Sequence, residues 1–211
     1  RYWIDTSPNL NRIAEDYKES YLRKSDDLIV ELNRKLEKEN KKRGIFSGIH
    51  ISQISNNEIP DNTDTRLVLL ASQYTHLKGD ENSKAMEWIK NCLRNKGNSP
   101  RQFLNTIIFL APDERNLNNL LNALAEKRAW ERVKNERLLL NLTANQENQA
   151  TARIEQASNT IDLRIPETWN NLIVPYQNEP SIIEPFFEHK TLSGGKGSLA
   201  ERAGEKCVQE D

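Results

Sequence analysis

The residues best equipped for phosphate chemistry lie near the C-terminus, in Gly194-Gly195-Lys196-Gly197-Ser198. A phosphate-binding loop needs G-x-x-x-x-G-K-[ST]: backbone N–H groups wrap the phosphates, while the lysine and a hydroxyl reach the terminal phosphate and magnesium. Here Gly197 follows Lys196, and the position five before Gly195 is Lys190. No convincing strand leads into the run, so a flexible connection is expected. Other chemistry finds little support. His50, His76 and His189 have no partner at metal-ligand spacing, and Cys92 and Cys207 form no C-x-x-C pair. There is no G-x-S-x-G nucleophile elbow.

Four polar features remain. Arg12 either faces a nucleotide or is a solvated helix position. Lys41-Lys42-Arg43 either contacts phosphate or favours the dipole at the end of a helix. Arg101, in Asn95-Lys96-Gly97-Asn98-Ser99-Pro100-Arg101, pairs with a phosphate or with a carboxylate. Asp113 is the N-cap of a following helix, or a polar group at the crevice where open α/β sheets place ligands.

The elements that would position these residues follow from hydrophobic spacing. Leu10, Ile13, Tyr17 and Tyr21, then Leu28, Leu32 and Leu36, predict one long helix. Asp5, Thr6 and Ser7 supply N-cap oxygens, Pro8 suits the first turn, and Gly44 is the expected stop. Residues 45–54, 66–71 and 106–111 read as strands, the last two nearly unbroken apolar runs suited to a buried parallel sheet. Between them 83–94 reads as a helix, which completes a βαβ unit. After Pro112-Asp113 come two helices, one through Leu117, Leu120, Leu121, Leu124, Trp130 and Val133, one through Ala150, Ile154, Ala157 and Ile161. Pro166 opens a short turn, Leu172 to Pro175 is a fourth strand, and the tail reads as linker followed by the start of a helix.

The fold expected is α/β: a long N-terminal helix, a small mostly parallel sheet of three or four strands flanked by helices, a helical pair and a flexible tail. The boundaries expected are 1–44, 45–176 and 177–211. Hydrophobic residues at 36% against 29% charged suit solvated helices around a modest core rather than a β sandwich. With 30 basic and 31 acidic residues the chain lacks an overall nucleic-acid footprint, which leaves only a local patch for DNA. The two distant cysteines read as free thiols of a reducing cytoplasm, and no apolar run is long enough for a bilayer. A chain that opens on Arg1-Tyr2-Trp3 reads as a piece of something longer.

Four segments, in order and with sensible spacing, resemble one family. They are Arg1-Tyr2-Trp3-Ile4-Asp5-Thr6-Ser7-Pro8-Asn9-Leu10-Asn11-Arg12, Gly97-Asn98-Ser99-Pro100-Arg101, Asn105-Thr106-Ile107-Ile108-Phe109-Leu110-Ala111-Pro112-Asp113, and Pro166-Glu167-Thr168-Trp169. From Arg1 to about Ala203 the chain is similar to the downstream half of the large P-loop ATPases catalogued as domain of unknown function 499, which are associated with anti-phage defence islands. The resemblance implies a cytoplasmic ATPase parent whose ATP and magnesium are held by an upstream domain, with defence-system proteins and DNA as further partners. It raises Arg12 as a nucleotide-sensing residue. The function expected is a non-catalytic accessory region of such an ATPase. The alternatives are a free-standing protein-interaction module, and a nucleic-acid-binding module that uses Lys41, Lys42, Arg43 and Arg101.

Overall fold

The computed structural model describes residues 9–39, 42–53, 55–177, 185–194 and 196–208. In chain order the elements are α1 (Leu10–Leu22), α2 (Ser25–Glu39), β1 (Gly48–Gln53), β2 (Arg66–Leu70), α3 (Lys84–Arg94), β3 (Asn95–Lys96) and β4 (Ser99–Pro100). They continue with β5 (Ile107–Pro112), α4 (Glu114–Asn135), α5 (Ala144–Thr168), β6 (Trp169–Tyr176), β7 (Phe186–Thr191) and α6 (Leu199–Val208). The expected α/β class holds.

The chain divides into two compact units. The first joins Arg1–Ile29 to Asn118–Ile165 and is helical. Its core gathers Leu10 and Ala14 of α1, Trp130 and Val133 of α4, and Ala150 of α5. A buried apolar side chain of this size contributes roughly 1.5–3 kcal/mol, so the cluster dominates the association of these helices. Polar groups fix the register: the Tyr17 hydroxyl donates to Glu136, Arg132 Nε–H donates to Glu136 at 2.9 Å, and the Arg132 guanidinium lies 4.0 Å over the Tyr17 ring.

The second unit joins Val30–Leu117 to Pro166–Asp211. Its sheet has the order β1-β2-β5-β6-β7. The first three strands are parallel, and β6 and β7 add antiparallel. All six residues of β5 and four of the five in β2 are buried, as expected of parallel strands covered on both faces. The βαβ reading of 66–112 is realised, with α3 between β2 and β5. Ala85, Met86, Ile89, Cys92 and Leu93 of α3 pack on Ile59, Val68, Leu70, Ile107, Phe109 and Ile173. Trp169 is fully buried, and its Nε1–H donates to Leu70 O at 2.9 Å.

Four details depart from the sequence reading. The single N-terminal helix is two, interrupted at Arg23-Lys24, because Ser25-Asp26-Asp27 supplies helix-start chemistry in mid-pattern. The caps expected at residues 5–8 lie outside the described residues; Asn9 caps α1, accepting from Arg12 N–H. Pro166 opens no new turn but sits inside the last turn of α5. The segment taken as linker contains β7, whose polar sequence matches its place at the sheet edge, so apolar periodicity could not reveal it.

α6 is not a helix lacking a surface to pack on. Leu199, Ala200, Ala203 and Gly204 are buried. A Cβ at Gly204 would come within 2.9 Å of Ile45 Cγ1, so the helix seats directly on the segment before β1.

Candidate functional site

The C-terminal ends of β2 and β5 carry a buried polar cluster that includes Ser72, His76 and Asn171. The chain leaves β2 through Ser72, held by Asn33 Oδ1, which accepts from both its N–H and its hydroxyl. It returns at His76, whose N–H donates to Pro112 O and which bridges Asp113 beside β5. Asn171 of β6 donates to His76 O at 3.3 Å. Ser83 then caps α3 by accepting Met86 N–H, and its hydroxyl forms a hydrogen bond with His76 Nδ1 at 2.8 Å. His189 of β7 stacks on His76, ring centroids 5.3 Å apart and planes at 13°.

Burial, and then the neighbouring His189, lower the pKa of His76; burial likewise lowers that of His189. A Ser–His contact is the raw material of nucleophilic catalysis, yet this hydroxyl is buried and already serves as a helix cap. The cluster therefore ties the start of α3 to the sheet rather than activating an oxygen.

His189 also reaches a groove of about 670 Å³ beside α3. Met86, Leu93, Leu104 and Phe187 give it apolar walls, Lys90 and Arg94 give it positive charge against Glu81, and the paired rings of Tyr176 and Phe186 also line it. Such a lining suits an amphipathic ligand bearing negative charge.

The residues singled out from the sequence are not gathered at one place. Arg12 is exposed on α1. Lys41 lies outside the described residues; Lys42 is exposed with its amine 3.9 Å from Glu201, and Arg43 donates to Ser47 O at 3.5 Å. Arg101 is buried. Its Nε–H donates to Cys92 O at 2.9 Å and its Nη1–H to Pro60 O at 3.0 Å, with longer bonds to Asn56 O and Ile59 O. Asp61 lies 3.9 Å away and itself accepts the N–H groups of Gln102 and Phe103. Arg101 thus lies beside a carboxylate and makes its shortest bonds to backbone carbonyls. Asp113 is the N-cap of α4, accepting Asn116 N–H at 2.9 Å.

The glycine-lysine run needs a correction. A strand does lead into it, β7, and a helix, α6, does follow. The strand is an antiparallel sheet edge, however, and the N-terminus of the helix is filled from within the chain. Ser198 N–H donates to Glu201 Oε2 at 2.8 Å, and Glu201 N–H donates to Ser198 Oγ at 3.2 Å. This is a capping box. The bonds from Ser198 lower the pKa of Glu201 and keep it anionic. Gly197 takes φ of +112°, and a Cβ there would lie 3.1 Å from the Glu201 carboxylate. Gly195 lies outside the described residues. A carboxylate thus stands where a phosphate would have to sit, and the residues present do not fit ATP here.

A family model described as the DUF499 third domain matches residues 7–177. The chain belongs to the DUF499 family. Neither the curated proteins nor the solved structures contain a match. The matched span of this DUF499 domain runs from before α1 to the end of β6, so it takes in the buried cluster except His189; β7 and α6 lie beyond it. Among the described residues no helix is long and apolar enough to cross a membrane, and no group of three His, Cys, Asp or Glu could hold a metal ion. Sequence reasoning missed the pairing of His76 with His189, since the strand that carries the second histidine has no apolar alternation.

Proposed function

We propose that this chain is a non-catalytic accessory region of a larger P-loop ATPase, coupled to a nucleotide-holding domain elsewhere in the protein. The observation that carries the reading is the match to a third domain of DUF499, which places the chain among several parts of one protein family. The capped N-terminus of α6 supports it, because Glu201 already accepts the Ser198 N–H beside Lys196-Gly197. On this reading ATP and magnesium belong to the partner domain, the location is cytoplasmic, and the context is defence against foreign DNA. Arg12, exposed on α1, is the residue we would place toward the nucleotide-holding domain.

The test compares magnesium-dependent ATP turnover by the isolated chain with turnover by the family's ATP-binding domain, alone and with this chain added. The isolated chain should give none, and its addition should change the turnover of the other domain, an effect that Arg12→Ala weakens. Turnover by the isolated chain that survives purification to constant specific activity would overturn the reading.

A further inference from the structure

α3 carries cations on its solvent side, and two aromatic rings stand beside them. Lys84 and Arg94 are exposed and Lys90 is half-buried. With Tyr74 and Trp88 they line a groove of about 620 Å³. The two rings lie 5.8 Å apart with planes at 42°. Trp88 is set edge-on to Phe109 of the core, centroids 6.3 Å apart, so its position is fixed from below. Tyr74 follows directly on β2, its N–H donating to Ala71 O at 2.9 Å. The rings therefore sit at the carboxyl end of a parallel strand, the side on which open α/β sheets bind ligands. In this groove the three cations face one carboxylate, Glu87; Glu81 lines the neighbouring groove, and its carbonyl accepts from Lys90 Nζ at 3.2 Å. Lys90 and Arg94 also line the 670 Å³ groove, so the cationic ridge is shared by two grooves.

We propose that this face of α3 binds single-stranded nucleic acid, with Tyr74 and Trp88 as a stacking surface and Lys84, Lys90 and Arg94 as phosphate contacts. An unpaired base offers a flat apolar face joined to an anionic backbone, and partly exposed rings between lysines and arginine complement both. A duplex keeps its base faces stacked inside and offers the rings nothing. Each groove alone has the size that takes a small ligand, and two of them along one cationic ridge favour a strand over a free nucleotide. The site is separate from the loop at Glu201 and independent of the ATPase reading; binding of a strand and turnover of ATP succeed or fail separately.

The experiment is fluorescence anisotropy of a labelled oligothymidylate titrated with the full chain over a range of salt. Binding should weaken as salt rises, with a logarithmic slope of about −2 if three phosphate contacts release roughly 0.7 counterion each. The exposed double variant K84E/R94E should bind at least about tenfold more weakly at low salt and flatten that slope. Tyr74→Leu keeps apolar volume but removes the flat ring; it should lose about fivefold or more with the slope unchanged. Circular dichroism of each variant establishes that the fold is retained. The proposal is overturned by no binding at low salt, by equal affinity for a duplex of the same sequence, by equal competition from a free nucleotide, or by a folded K84E/R94E variant that binds like the parent.

Discussion

Replacing Arg101 by methionine removes a buried cation while keeping most of its volume. The guanidinium makes two firm hydrogen bonds, to Cys92 O at 2.9 Å and Pro60 O at 3.0 Å, and weaker ones to Ile59 O and Asn56 O. Hydrogen bonds to a charged group contribute about 1.5–3 kcal/mol each, and the carbonyls left behind have little water to turn to. Asp61 is not orphaned, because it keeps the N–H groups of Gln102 and Phe103. The loss therefore falls at the lower end of the range for breaking a buried charged network, about 3 kcal/mol. With a urea slope of about 1–3 kcal/mol per molar, the unfolding midpoint should drop by roughly 1–3 M at an unchanged slope. Arg101→Lys keeps the charge but reaches in one direction only, and should lose about half as much. Urea titration followed by circular dichroism reads both. A midpoint for Arg101→Met within about 0.3 M of the parent would refute the reasoning. A nucleic-acid role for Arg101 predicts the opposite pattern, with stability kept and affinity lost.

Acidification should destabilise the fold from about pH 6.5 downward, since the unfolded chain binds protons that His76 and His189, with lowered folded pKa values, refuse. The fully buried His76 alone contributes a slope of up to about 1.4 kcal/mol per pH unit; thermal unfolding between pH 7.5 and 5.5 measures it, and a flat profile counts against the stacked neutral pair. Burial pushes the Cys92 thiol up to about 12 and also raises Cys207, which is only half-buried. A chromogenic thiol reagent at pH 8 should label Cys207 slowly and Cys92 only in denaturant; simultaneous labelling of both in the native protein would contradict the packing of α3. Ser198→Ala should lower stability by about 0.5–2 kcal/mol through loss of the α6 cap, and Glu201→Ala should lower it in the same direction, each read as a fall in Tm. A Tm unchanged in both variants would mean that the capping box contributes nothing.

How much was legible depended on where the signal lay. β2 and β5 could be read because burial on both faces demands unbroken apolar runs such as Leu67 to Leu70 and Ile107 to Ala111. The α3 face and the Asp113 cap were equally plain, because spacing and cap chemistry are local. β7 was not legible: its exposed Phe186, Glu188, His189 and Thr191 carry no alternation. What makes it a strand is the ladder to β6, a long-range fact. With β7 missed, the His76–His189 stack and the strand leading into the glycine-lysine run were missed too. Arg101 remained open between two roles because its partners, Asn56, Ile59, Pro60 and Cys92, come from segments that only the fold brings together.

The capping box at α6 can also be viewed as a ligand tethered to its own binding site. Glu201 sits three residues from Ser198, whose N–H it accepts, so no diffusion is needed for it to find that group. A short tether confers an effective concentration in the millimolar range or above. A phosphate arriving from solution must outcompete that internal anion for the Ser198 N–H. The Ser198 N–H is thus already occupied from within the chain, and a loop that looks suited to phosphate by its glycines and lysine faces a carboxylate three residues beyond that serine.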